Sequence, residues 1–447
     1  MLLIFAIFGY LAYFVKYGNG LVLNKTDINE YSNDEMYTIC ELVWNETEKL
    51  GYNVNRNQGA CINMIKDVYK LRKLMPMAEF DLTKYSVLTE EVEDPVNTDI
   101  YTGNLTLITG KNGDEIESLV YGKALYERIL NSKIPDNFDL RSNSANLKEG
   151  GSCITFPDNQ GKCANCYNYS ALSSIEGAFC RQIGVLIPQL SQQNSLDCWL
   201  KKKGAKKACN GGQTFEVYNY ALKSKVCTKD SYPPTTFKTG KVGICNTSCN
   251  QCASINDFMW NYTGSSNNYD DPWKVITHAI YNYGPVTVSI CSLMPGFNYY
   301  SGGFYEPPTC GSIWCGTRQV DHAVTLVGYG TTHEGRRYYI MKNSWGVGWG
   351  NKGFMNISAD MCSTFFNPAW VTSVKLENIS EHCSNNKPKI SEIANINPKL
   401  NAIKTTITII SQLILQLQLW LLESNRPYQS IESDYKSNAF WRIHYKN

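Results

Sequence analysis

Two pairs of cysteines stand three residues apart in this chain: Cys163 and Cys166 in "NQGKCANCYNYSA", and Cys249 and Cys252 in "CNQC". Four thiolates at such spacings could close a tetrahedral zinc site. Cys163 and Cys166 could equally be halves of a disulfide scaffold, or a structural bridge beside a nucleophile. With 17 Cys in the chain, an oxidising compartment favours bridges over thiolate ligands, and no metal or other cofactor is expected. A thiol in the first turn of a helix feels unpaired N–H groups and the positive dipole end, which favour thiolate. Acyl transfer from it needs a proton carrier, a group orienting that carrier, and donors for an oxyanion. Histidines are few: 278, 322, 333, 382 and 444. His322 opens an apolar run in "QVDHAVTLVGYG", and Asn343 closes another in "MKNSWGVGWG". Those two ends could meet a helix terminus at Cys166 across a cleft.

The elements that must position them follow from periodicity. Tyr167, Ala171, Leu172, Ile175, Ala178 and Phe179 recur at helical spacing, which predicts a buried helix from Cys166 to Arg181. Residues 190–255 mix short helical patterns with Gly, Pro and cysteines, as in a stapled, loop-rich region. Beyond about residue 260 "GPVTVSI", "HAVTLVGYG" and "RRYYIMKNSW" read as strands ending in Gly or Asn. A helix-rich half followed by a strand-rich half predicts an α+β fold of two subdomains. Residues 19–132 carry helical patterns in "CINMIKDVYKLRKLM" and "SLVYGKALYERIL", with Cys40 and Cys61 as an even pair that could bridge. Pro135 marks the boundary after them. The tail, 379–447, contains "TTITIISQLILQLQLWLL", open to readings as amphipathic strand or helix, poor membrane segment, or no selected structure.

The apolar run Leu2–Val15 has the length of a signal-peptide core, so residues 1–18 read as a signal peptide; an uncleaved anchor is the alternative. Sequons at Asn24, Asn45, Asn104, Asn246, Asn261, Asn356 and Asn378 agree with a glycosylated product of the secretory route. Asn168 also fits the tripeptide but falls on the predicted buried helix. A net charge of +2 argues against nucleic acid or an anionic membrane as the main partner. "KKKGAKK" at 201–207 reads as a solvated loop.

"QGKCANCYNYSA", "CNGG" at 209–212, "GPVTV" at 284–288, "VDHAVTLVGYG" at 320–330 and "KNSWGVGWG" at 342–350 together resemble papain-family cysteine peptidases, in the family's order, over about residues 134–375. The resemblance implies Cys166 as nucleophile, His322 as general base and acid, Asn343 as the orienter of the imidazole, and Gln160 as an oxyanion donor. It implies Trp345 as a cover over the Asn343–His322 pair, Gly211 and Gly212 as a strand-like edge for substrate backbone, and Asp321 as the acidic neighbour of the histidine. It also implies bridges Cys163–Cys209, Cys198–Cys245, Cys153–Cys180 and Cys315–Cys362, the third as in cathepsin B. Fifteen cysteines remain from residue 153 onward, an odd number, as expected if Cys166 works as a thiol.

On this reading the domains are a leader (1–18), an inhibitory pro-segment (19–132), a peptidase domain (133–378) and a tail (379–447). The product is a monomeric zymogen acting on proteins and peptides in a lysosome, vacuole or the extracellular space. Residues 228–260 hold no His-His pair, so a carboxydipeptidase loop is not indicated and endopeptidase activity is expected. Counting from Cys362 puts Asn367 near the floor of the main specificity pocket, with a mid-sized apolar side chain as the expected occupant. Two departures stand out: Ala164 and Asn165 replace the family's Gly and Ser/Ala before the nucleophile. They keep open a rival class, a secreted binding or scaffold protein on a peptidase fold.

Overall fold

The computed structural model describes residues 23–49, 53–54, 56–83, 86, 107–109, 133–142, 152–199, 208–261, 272–308, 320–360 and 365–384. The leader, the helical pattern at 118–130, the 201–207 run and the tail from 385 lie outside them. So do Cys315 and Cys362, and with them that expected bridge.

The N-terminal segment begins with a helical hairpin, α1 (Asn33–Lys49) and α2 (Gln58–Leu74). The sequence reading anticipated α2 but not α1. In α1 Met36, Cys40, Val43, Trp44 and Thr47 share a buried stripe, while acidic side chains fill the solvent face and disguise the period. Asn57 caps α2 by accepting the Ala60 N–H at 2.9 Å. A Cys40–Cys61 disulfide staples the two helices. Three short strands follow: β1 (Ala78–Phe80), β2 (Leu107–Thr109) and β3 (Phe138–Asp139).

The helical half is built on α3 (Cys166–Ile183), in which every residue from Cys166 to Cys180 is buried. It stops where Gly184 takes the left-handed conformation, φ 70°, that an L side chain resists. Around it pack α4 (Gln192–Cys198), α5 (Thr214–Lys223), the strand β4 (Val226–Cys227), the single turn α6 (Thr236–Thr239) and β5 (Gln251–Ala253), which pairs with β4. Bridges Cys153–Cys180, Cys163–Cys209 and Cys198–Cys245 form as the resemblance implied. Cys227–Cys249 and Cys252–Cys383 are additional. Both sulfurs of "CNQC" are therefore committed to disulfides, which removes the zinc alternative. Cys291 is also disulfide-bonded, to a partner outside the described residues.

The strand-rich half comprises β6 (Asp257–Asn261), the helix α7 (Pro272–Tyr283), β7 (Val286–Ile290), β8 (Tyr300–Tyr305), β9 (His322–Thr331), β10 (Arg337–Lys342), β11 (Phe354–Ser358) and β12 (Phe366–Ser373), with a last turn α8 (Glu381–Ser384). Among the described residues one sheet runs β1-β8-β11-β10-β9-β7-β12-β6-β2, with β3 also on β9. The first nine residues of β9 are all buried, because α3 covers one face and the sheet's own core the other. That is why "HAVTLVGYG" runs apolar instead of alternating. The fold is α+β, a helical half against a strand-rich half, as expected.

Candidate active site

Two chain segments carry the site to one place. Asp158–Gln160 lies along Ser344–Gly346: the Gln160 N–H donates to the Ser344 carbonyl at 2.8 Å, and the Gly346 N–H to the Asp158 carbonyl at 2.7 Å. Asn343, just past the end of β10, is held by its N–H donating to the Gly353 carbonyl at 3.0 Å. The chain then turns at Gly161, φ 59°, where a Cβ would lie 2.2 Å from the Phe237 carbonyl oxygen. Only glycine fits there. Past the turn, the Cys163–Cys209 bridge pins the loop that leads into α3. Ala164 pairs with Asn210, and the Gly211 N–H donates to the Ala164 carbonyl at 3.2 Å. Gly211 adopts φ 97°, and Gly212 packs so closely on the Tyr167 ring that a Cβ would stand 2.5 Å from it.

Cys166 opens α3. Among the described cysteines it alone is outside a disulfide, and it is buried. The Ala323 N–H donates to its Sγ at 3.4 Å, which sets the thiol beside the residue that follows His322. His322 Nε2–H donates to Asn343 Oδ1 at 2.8 Å, and the Ser344 N–H donates to the same oxygen at 2.8 Å. Two donors on one oxygen fix the amide's orientation and, through it, the imidazole tautomer. Nδ1 of His322 is buried and without a hydrogen-bond partner. Burial lowers the His322 pKa, and the bond to Asn343 and the nearby Asp321 charge act in the opposite direction. The Trp345 ring lies 5.2 Å from the imidazole, and Phe297 meets Trp345 edge-on at 5.5 Å. Both rings thus pack beside the imidazole that bonds Asn343.

Gln160 is buried. Its Oε1 accepts the Ser344 hydroxyl at 2.6 Å and its Nε2 donates to the Cys163 carbonyl at 3.3 Å. An amide nitrogen has two N–H groups, and this bond uses one of them. Asp321 is turned to Ser292, accepting its N–H at 2.6 Å and its hydroxyl at 3.0 Å. Asn367 is buried with φ 49°, at the bulge between the Phe366–Ser289 and Ala369–Thr287 pairs, and its Oδ1 has no partner. Ser289 in turn stands opposite Ala323, which puts Asn367 two strands from the thiol's donor.

Sequence reasoning missed Ser344, whose hydroxyl donates to Gln160 Oε1 and whose N–H donates to Asn343 Oδ1, tying the two side chains together. It also missed Phe297, which no local pattern marks. Behind Asn343 lies a polar core it did not foresee. Lys342 Nζ donates to the Thr155 and Ser173 hydroxyls, both at 2.9 Å, and Thr155 donates to Glu176 at 2.5 Å. Burial pushes Lys342 down to about 8 and raises Glu176.

The family model for papain family cysteine protease matches residues 134–367, just over half the chain. The chain belongs to the papain family. It is 32% identical to rat (Rattus norvegicus) cathepsin J over 305 residues, covering 62% of this chain and 85% of that protein. It is 32% identical to mouse (Mus musculus) procathepsin L over 242 residues, covering 53% of this chain and 64% of that protein. Two solved proforms share the fold at 19% identity. A ragweed pollen cysteine protease allergen has TM-score 0.55, covering 77% of this chain and 96% of that one. Procathepsin L 3 of Tenebrio molitor has TM-score 0.54, covering 76% and 99%. As a papain-family member the chain is a cysteine peptidase, and the helical and strand-rich halves are the family's two subdomains.

Proposed function

We propose that this papain-family chain is an endopeptidase made as a zymogen, with Cys166 as its nucleophile. The observation that carries the reading is the Cys166 thiol beside Ala323, next to a His322 ring fixed by Asn343. With Nε2–H donated to Asn343, Nδ1 is the nitrogen left to take the thiol proton. Cys166 Sγ attacks the scissile carbonyl, and the tetrahedral oxyanion is met by the Cys166 N–H and the second Gln160 N–H. His322 then gives its proton to the leaving amine, and the thioester forms as the C–N bond breaks. In the second half, Nδ1 takes a proton from water, hydroxide adds to the thioester, and the thiol leaves with the proton returned. Asn suits the orienting place because a neutral amide steadies the imidazolium without competing for its proton.

Residues 19–132 are the pro-segment, lying in the groove as an intramolecular inhibitor and removed near 132–136. The exposed Lys133, Pro135 and Asp136 suit cleavage there. Proteins and peptides are its substrates, which the family match supports; we further infer a secretory, lysosomal or extracellular setting, a monomeric product and no nucleic-acid partner. Gly211 and Gly212 would pair with substrate backbone, and Asn367 would floor the main side-chain pocket. A mid-sized apolar side chain is the simplest occupant. The unpartnered Asn367 Oδ1 favours a side chain that also carries a donor.

The test is peptide-library cleavage by pro-segment-free protein beside its Cys166→Ala variant. The variant should lose activity by about 10⁴-fold or more. Equal cleavage by both would remove Cys166 from the mechanism. A thiol-directed epoxide should label processed protein once, at Cys166; absence of labelling would favour the binding or scaffold alternative.

A further inference from the structure

β1, from the pro-segment, sits on the outer edge of β8, opposite Ala78–Gly303, Glu79–Gly302 and Phe80–Tyr300. The Phe304 N–H donates to the Met77 carbonyl at 2.7 Å, and the Asp81 N–H to the Tyr299 carbonyl at 2.8 Å. The other side of β8 is taken by β11. Two glycines on the peptidase side are shaped by what docks there. At Gly303, φ 75°, a Cβ would stand 2.3 Å from the Met77 carbonyl oxygen, and at Gly296, φ 82°, one would stand 2.6 Å from the Phe80 ring. The Phe80 ring, wholly buried, meets Tyr305 edge-on at 6.5 Å. Phe297, next to Gly296, lies 6.2 Å from Tyr305 and 6.4 Å from the His322 ring. The Phe80 seat is therefore linked to the imidazole through two rings in contact, Tyr305 and Phe297.

No disulfide among the described residues joins the pro-segment to the peptidase, since Cys40–Cys61 is internal to it. Once the chain is cut, as the proposed function requires, β1 can leave without reduction. It would uncover an uncharged edge, "YSGGFY", with the Phe304 N–H and Tyr299 C=O unpaired and an aromatic seat beside them. Such an edge pairs with a further strand.

We propose that in the processed enzyme this β8 edge is a docking site for an extended segment of a protein substrate, away from the bond being cut. The segment adds as an antiparallel strand, with a small residue opposite Gly303 and an aromatic ring two residues later in the Phe80 seat. Continuity with the aromatic layer beside His322 favours substrate as occupant, because a long chain in the groove can reach both places.

The test uses processed protein and a fluorescent peptide spanning residues 76–83, followed by anisotropy. Saturable binding is expected, weakened at least tenfold by Phe80→Ala in the peptide and by Gly303→Ala in the enzyme. Unlabelled peptide should slow cleavage of an intact protein several-fold while leaving hydrolysis of a short peptide amide unchanged; that short substrate also reports folding of the Gly303→Ala enzyme. The peptide-side substitution tests the site even should the enzyme variant not fold. Absent binding, binding indifferent to Phe80→Ala, equal inhibition of long and short substrates, or occupation of the edge by a second copy would each overturn the proposal. Failure of the processed wild type to cut the short substrate would defeat the endopeptidase reading instead, and the binding arm would still decide this one.

Discussion

At the residue scale, each proposed catalytic side chain acts through a bonded neighbour, and those neighbours give graded predictions. Gln160→Ala removes an oxyanion donor and should lower kcat by roughly 10²–10³-fold with little change in KM. Ser344→Ala frees Gln160 Oε1 but leaves the donor present, so its loss in kcat should be smaller, about tenfold, in the same assay. The histidine carries a pH consequence. Burial lowers the His322 pKa below its ordinary 6.5, so below that pH the unfolded chain binds a proton that the folded chain refuses. Stability should therefore fall as pH drops through 6.5 and toward the lowered value. His322→Ala lacks this contribution, so urea titrations at pH 7 and pH 5 should show a larger loss for the wild-type zymogen than for the variant. Cys166, His322 and Asn343 were legible because their chemistry is rare and their flanking motifs are long. Ser344, Phe297 and the Lys342–Glu176 core were not. Their roles depend on contacts across 184 positions for Ser344–Gln160 and 187 for Lys342–Thr155, which no local window contains.

At the element scale, α3 and the strands β7, β9 and β10 followed from period and length, since each has at least one face that must be buried. The helix α1 was hidden because its stripe is narrow, includes the polar Thr47 and is flanked by acidic side chains. Its hold on α2 is the Cys40–Cys61 bridge, whose cysteines stand 21 apart in sequence. Closing a loop of that size is worth about 3 kcal/mol. Cys40→Ala with Cys61→Ala should make the hairpin the first part of the zymogen cut by an added protease. The same pair should leave short-substrate hydrolysis by processed enzyme unchanged, because the hairpin belongs to the segment whose removal is proposed above. Gly161→Ala acts on the opposite element. Its strained φ and the Phe237 carbonyl at 2.2 Å should displace the loop before Cys166 and lower kcat more than thermal stability.

At the scale of the whole molecule, the chain beyond β12 crosses back to the helical half. The Ser254 N–H donates to the Asn378 carbonyl at 3.2 Å, the Ser380 N–H to the Cys252 carbonyl at 2.8 Å, and Cys252–Cys383 closes the strap. That bridge spans 131 residues, including nearly all of the strand-rich half. Chain-entropy reasoning values it at about 5 kcal/mol before native strain is counted. Cys252→Ser with Cys383→Ser should lower the denaturant midpoint with the m-value unchanged, provided the two halves still unfold together. A drop in m-value would show that the strap is what couples them.

The sequence alone determined the class of chemistry and the family, because Cys166, His322 and Asn343 lie in long motifs whose order survives any loop change. It also determined the α+β layout, through the switch from a period of 3.6 to runs of strand length. Tertiary structure alone decided which cysteines pair with Cys227, Cys252 and Cys383, since disulfide partners depend on proximity and not on spacing. It alone decided that Ser344 binds Gln160 and Asn343 together, and that the N-terminal segment completes β8. Those are contacts between surfaces, and a surface exists only after the chain has folded.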